Sequence, residues 1–114
     1  MKKVILLAVI CLFAAIQTAH AHAPSDIDLD YNPATKTLTV VVHHPAADGK
    51  THYVAQIDIA VNGERVIKQN IKLQDDKNMQ SLTYRLPDVS MEDRIEVEAS
   101  CNVNGSRTKM LVVE

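Results

Sequence analysis

The chain has 114 residues, a length that allows one domain, and its 23% charged and 46% apolar residues are typical of a globular protein. A formal charge of −2 gives no basic field, so nucleic acid is excluded as an expected partner. The two cysteines, Cys11 and Cys101, suggest a disulfide, but the order of segments along the chain argues against one.

Residues 1–21 have the features of a secretory signal peptide. Two lysines precede the apolar run Val4–Ile16, which is too short to span a bilayer, and Ala19-His20-Ala21 fits the small-x-small cleavage pattern. We therefore predict cleavage after Ala21, a single mature domain of residues 22–114 without a membrane span, and a periplasmic or secreted location. An uncleaved N-terminal anchor is the alternative.

Cleavage would remove Cys11 and leave Cys101 without a partner in its own chain. A lone cysteine in an oxidising compartment can form an intermolecular bridge, lie buried as an inert thiol, or bind a metal.

The rest of the sequence alternates between apolar and polar residues with a period of two, which indicates β-strands. Asn62-Gly63 predicts a type I′ hairpin turn, and in the last strand Met110 and Val112 are expected to face the core. Seven short strands favour an all-β, immunoglobulin-like sandwich, with a small barrel as the alternative. The predicted strands are 27–31, 37–42, 53–61, 64–73, 82–86, 94–101 and 108–113.

In such a sandwich the second and sixth strands end at the same pole, where the first strand begins. This topology gathers every histidine and the cysteine of the mature domain at one end, which predicts a metal site. Imidazole and thiolate together suit zinc, iron, copper or nickel. The residues concerned are His22, His43, His44, His52 and Cys101.

Strand parity distinguishes the two adjacent histidines. His44 continues the inward parity of Val42, whereas His43 has the outward parity of Val41, so we expect His44 to be the ligand. Cys101 shares its inward parity with Val97. The alternative is that the histidines are exposed loop residues and that Cys101 is a small buried apolar residue.

Four short motifs, in order, resemble those of the superoxide reductase family, which includes neelaredoxin and the iron domain of desulfoferrodoxin. The motifs are His22-Ala23-Pro24, His44-Pro45, His52-Tyr53-Val54 and Cys101-Asn102-Val103-Asn104-Gly105. The resemblance covers essentially the whole mature chain, and that family has an immunoglobulin-like fold.

The resemblance implies a mononuclear non-haem iron with His22, His44 and His52 as equatorial ligands and Cys101 as the axial ligand. In the family, superoxide binds at the open sixth position and is reduced to hydrogen peroxide. The electron comes from an external donor.

The sequence departs from the family pattern in three places. Asn104 stands where the family has a fourth histidine, and the interval from His44 to His52 is longer than usual. The family also places a lysine just before the first histidine, where this chain has none. Lys50 is the nearby candidate for that cationic, catalytic role, and an ordinary solvated loop lysine is the alternative.

Two other functions remain open from the sequence. Cleavage after Ala21 would make His22 the N-terminus, and its α-amine could chelate together with its ring, a grip that suits copper as well as iron. Independently of that amine, one alternative function is a non-catalytic iron- or copper-binding module of the cell envelope that uses the same histidine and cysteine site. An immunoglobulin-like interaction domain with incidental histidines is the other possibility.

Overall fold

The computed structural model describes residues 22–114, so the predicted signal segment and its cleavage site lie outside the described residues. The described part of the chain folds into seven strands and contains no helix, and hence no helix able to cross a membrane. The strands are β1 (Asp26–Asn32), β2 (Thr37–His43), β3 (Val54–Val61), β4 (Glu64–Asn70), β5 (Met79–Arg85), β6 (Arg94–Cys101) and β7 (Ser106–Val112).

The strands form two antiparallel sheets, one in the order β1-β2-β5 and the other in the order β4-β3-β6-β7. This arrangement confirms the predicted all-β sandwich. The alternation of apolar and polar residues along each strand explains why the two sheets pack face to face, because every second residue of a strand faces the opposing sheet. The fully buried side chains include Ile27, Leu38, Val40, Val42, Ile57, Ile59, Ile95 and Val97.

The turn between β3 and β4 is the predicted two-residue hairpin. Asn62 and Gly63 both have positive φ angles, 51° and 85°, as a type I′ turn requires.

The predicted facing of the last strand is wrong. Met110 is 55% exposed and Val112 is also exposed, whereas Val113 is buried. Pairing with β6 sets Leu111 opposite Ile95, a core residue, and directly opposed residues share a face of the sheet. Met110 therefore lies on the outer face and not in the core.

The fold brings three segments to one end of the sandwich. β1 starts beside the end of β2, where Asp26 pairs with His43, and β3 starts beside the end of β6, where Val54 pairs with Cys101. A register shift directly after Val54 distorts this edge, as bulges commonly do near functional sites. We call this end the site pole; it consists of residues 22–25, 44–53 and 102–105.

Candidate metal centre

His44 follows β2 directly and is completely buried. Its main-chain N–H donates to the carbonyl of Asn78 at 2.8 Å, which continues the β2–β5 ladder by one residue. Its ring atom Nδ1 lies 2.8 Å from the side-chain oxygen of Gln74, and Nε2 lies 3.3 Å from the main-chain carbonyl oxygen of His22. The ring is therefore held at the inner side of the site pole.

His43 points the other way, as parity predicts. Its side chain is 38% exposed, and its Nε2 lies 2.7 Å from the carboxylate of Asp28 on the outer surface. The prediction that His44 faces inward and His43 outward is confirmed.

A turn centred on Asp48 reverses the loop 44–53 and brings His52 close to His44. The Asp48 carbonyl accepts from the main-chain N–H groups of Thr51 and His52, and its carboxylate accepts from the N–H of Lys50. The His52 ring then meets the His44 ring edge to face, with centroids 4.6 Å apart and planes at 80°. The loop between His44 and His52 thus contains a hydrogen-bonded turn.

Cys101 ends β6 and is buried, with a free thiol. Its Sγ lies 3.0 Å from Nε2 of His52 and accepts a hydrogen bond from the main-chain N–H of Val103 at 3.4 Å. Asn102 links the adjoining loops, since its side chain accepts from the N–H of Tyr53 and donates to the carbonyl of Thr51. The cysteine and His52 are therefore held by one hydrogen-bonded unit.

The donor atoms of His44, His52 and Cys101 all lie within 4.8 Å of one another. Typical metal–nitrogen and metal–sulfur distances place adjacent ligands of one ion about 3 Å apart and opposite ligands about 4.4 Å apart. Two imidazoles and a thiol also have the chemistry that suits iron, copper or zinc rather than calcium or magnesium. The residues present therefore fit a single transition-metal ion.

His22 contacts the rest of the site pole with its main chain. The His22 side chain is exposed and does not belong to the three-residue donor group, although its carbonyl lies 3.3 Å from His44 Nε2. The segment is held in place, because Ala23 packs closely against Gly105 and the carbonyl of Pro24 accepts from Arg107 Nε at 2.7 Å.

The remaining candidates lie at the surface. Asn104, which the sequence resemblance aligns with a histidine of superoxide reductases, is exposed, and so is Lys50. The structure therefore brings together three of the four predicted metal ligands.

Solved superoxide reductases have the same fold. The superoxide reductase (1Fe-SOR) from Giardia intestinalis is similar over 81% of this chain and 100% of its own, with a TM-score of 0.61 and 14% sequence identity. A superoxide reductase (neelaredoxin) from Ignicoccus hospitalis is similar over 88% of this chain and 86% of its own, with a TM-score of 0.50 and 19% identity. No protein-family model and no curated protein sequence matches the chain. These likenesses show a superoxide-reductase-like sandwich.

The surroundings of His52 favour its neutral form. Burial lowers the pKa of His52 below its ordinary value of 6.5, and the neighbouring His44 and His22 lower that pKa further. A neutral imidazole is the form that binds a metal, so a low pKa keeps His52 available as a ligand below neutral pH.

Sequence reasoning missed Gln74. It lies in a polar stretch between β4 and β5 that alternation predicts to be an exposed loop, yet only 3% of it is exposed and it contacts His44. Its contact with His44 spans 30 residues of sequence. A single buried glutamine in a polar stretch carries no sequence signal, so only the fold reveals it.

Proposed function

We propose that this protein binds one iron ion through His44, His52 and Cys101, with His22 completing the ligand set, and reduces superoxide to hydrogen peroxide in the cell envelope. The observation that carries the proposal is the convergence of two imidazoles and a thiol within 4.8 Å, in a fold shared with superoxide reductases. It also rests on the predicted signal peptide for its location.

The iron would supply the one-electron step, in which superoxide takes one electron and two protons to give hydrogen peroxide. The protein's residues would prepare the site. His44 and His52 each offer a ring nitrogen, and Cys101 offers an electron-rich thiolate. The main-chain N–H of Val103 donates to Sγ at 3.4 Å and so helps to hold the sulfur in position.

Lys50 is the proposed cationic group for the anionic substrate. It is exposed in the loop that carries His52, two residues before that ligand. A positive charge there would raise the local concentration of superoxide by electrostatic attraction. An external electron donor would supply the electron that each superoxide molecule consumes.

Non-catalytic iron or copper binding at the same residues is the second candidate. The observation that favours it is Asn104, an exposed amide at the position of the family's fourth imidazole. A side-chain amide is a poor ligand for a soft or borderline metal, so the site would have fewer imidazoles than a superoxide reductase.

The adjacent histidines provide a matched test of the site. His44→Gln should abolish stoichiometric binding of Fe²⁺, because it removes a buried donor, whereas His43→Gln should bind the metal as the wild type does. Metal content after dialysis, with folding checked by circular dichroism, is the measurement. Equal metal content in the two variants would contradict the proposed site.

Two further measurements separate catalysis from binding. Pulse-generated superoxide should decay faster with the reduced holoprotein, in proportion to its concentration; decay at the rate of the apoprotein would favour the non-catalytic alternative. Cys101→Ser should remove the thiolate-to-metal charge-transfer band while the fold is retained. An unchanged spectrum would exclude Cys101 as a ligand.

A further inference from the structure

The side-chain amide of Gln74 is buried and hydrogen-bonded on both of its ends. Its Nε2 donates to the main-chain carbonyls of His44 and Asp76, each at 2.8 Å. Its Oε1 accepts from the main-chain N–H of Val54 at 3.2 Å. Carbonyl groups only accept and a backbone N–H only donates, so these three bonds determine which end of the amide is oxygen.

That orientation determines the protonation of the His44 ring. Nδ1 of His44 lies 2.8 Å from Gln74 Oε1, an atom that can only accept, so Nδ1 must carry a proton. A second acceptor, the His22 carbonyl oxygen, lies 3.3 Å from Nε2, but the contact at Nδ1 is the shorter by 0.5 Å. A neutral imidazole carries one proton, so that proton is placed on Nδ1 and Nε2 keeps its lone pair. We infer that Gln74 is a positioning residue that holds His44 in its Nδ1–H tautomer and presents Nε2 as the metal-binding atom. The inference rests on the proposed metal site.

The same amide also holds His44 in place. It bonds both the ring and the main-chain carbonyl of that residue, so the backbone and the ring are held by one rigid group. Through Val54 it connects the ring to the start of β3, the strand that pairs with Cys101. Gln74 thus helps to set the direction of the His44 ring relative to Cys101, as hydrogen-bond partners of metal-binding histidines commonly do.

The chain offers a matched pair of buried glutamines for the test. Gln74→Met replaces the amide by an apolar side chain of similar length and removes the acceptor for Nδ1. Gln80→Met makes the same change at a second buried glutamine, whose amide bonds to Asp75. Both variants lose buried hydrogen bonds, but only Gln74→Met removes hydrogen-bond partners of His44 itself.

The first readout needs no metal. Long-range ¹H–¹⁵N correlation spectra of the apoprotein, recorded well above the ordinary histidine pKa, report which ring nitrogen carries the proton. We expect the Nδ1–H tautomer of His44 in the wild type and in Gln80→Met, and a substantial Nε2–H population in Gln74→Met. An Nε2–H tautomer in the wild type would overturn the inference, even if Gln74→Met failed to fold.

The second readout is affinity for Co²⁺, measured by competition with a chelator. Gln74→Met should bind Co²⁺ about 10–100-fold more weakly than the wild type, and Gln80→Met should bind it equally well. Equal loss in both variants would reduce Gln74 to a merely structural role and overturn the inference. A wild-type protein with the Nδ1–H tautomer that binds no metal would instead refute the proposed metal site and leave the tautomer assignment standing.

Discussion

The N-terminal segment lies close to Gly105 in the β6–β7 turn, so we expect a methyl group added at Gly105 to lower the free energy of unfolding. Gly105 has a φ of +88°, and a Cβ added there would lie 2.9 Å from the main-chain nitrogen of Ala23 and 3.0 Å from its Cα. Gly63 has nearly the same φ, +85°, with nothing within 4 Å of an added Cβ. Gly105→Ala and Gly63→Ala therefore share the same backbone strain and differ in the contact.

The expected magnitudes follow from this difference. An alanine in the left-handed region costs about 1–2 kcal/mol in both variants. In Gly105→Ala the contact is with backbone, so the segment at residues 22–25 must move. The hydrogen bond from Arg107 Nε to the Pro24 carbonyl would then be lost, at about 1.5–3 kcal/mol for a charged donor. Gly105→Ala should thus lower the free energy of unfolding by about 2.5–5 kcal/mol and Gly63→Ala by about 1–2 kcal/mol.

Urea unfolding of the two apoprotein variants beside the wild type measures both free energies. For a domain of this size each kcal/mol corresponds to a shift of about 4–8 °C in Tm, so the two variants should separate clearly in thermal unfolding as well. Because the displaced segment contains the His22 carbonyl beside His44, Gly105→Ala should also weaken Co²⁺ binding, and Gly63→Ala should not. Equal destabilisation by the two substitutions would refute the reasoning that the segment is packed against Gly105.

Two more predictions concern His52 and Tyr31. Because the folded-state pKa of His52 is lowered, the unfolded chain binds a proton more readily; the stability of the apoprotein should fall as pH drops below about 6.5 and level off below the lowered pKa. Urea midpoints against pH should show this slope, and His52→Asn should reduce it; an unaltered slope would assign the effect to other groups. Tyr31→Phe removes a buried hydrogen bond of 2.8 Å to the carbonyl of Leu86 and should cost about 1–3 kcal/mol. Since this bond lies at the end opposite the site pole, Fe²⁺ binding by Tyr31→Phe should match the wild type, and a loss of binding would contradict that separation.

The sequence predicted those features that depend on local alternation and on topology. Parity along β2 placed His44 inside and His43 outside, because a strand alternates strictly and the residues before them are unambiguous. The same argument failed in β7, where the run from Met110 to Val113 is apolar on both faces. There the pairing with β6 decided which residues are buried.

The environment of the site was beyond sequence reasoning. Gln74 contacts His44 only because the connection between β4 and β5 folds across the site pole, and alternation says nothing about where a polar connection goes. The position of His22 likewise depends on tight packing between Ala23 and Gly105, a contact between distant segments that spacing cannot reveal.

The positions of His44 and Cys101 imply that a metal bound at the candidate site would also link the two sheets. His44 follows β2 in one sheet and Cys101 ends β6 in the other, and these are the two strands that a disulfide joins in antibody domains. A metal held by both residues would connect the two sheets at a place where residues 22–114 contain no disulfide. Unlike a disulfide, such a metal link could be removed by a chelator and restored by adding the ion. The free energy of unfolding of the sandwich would therefore depend on the concentration of free metal around it.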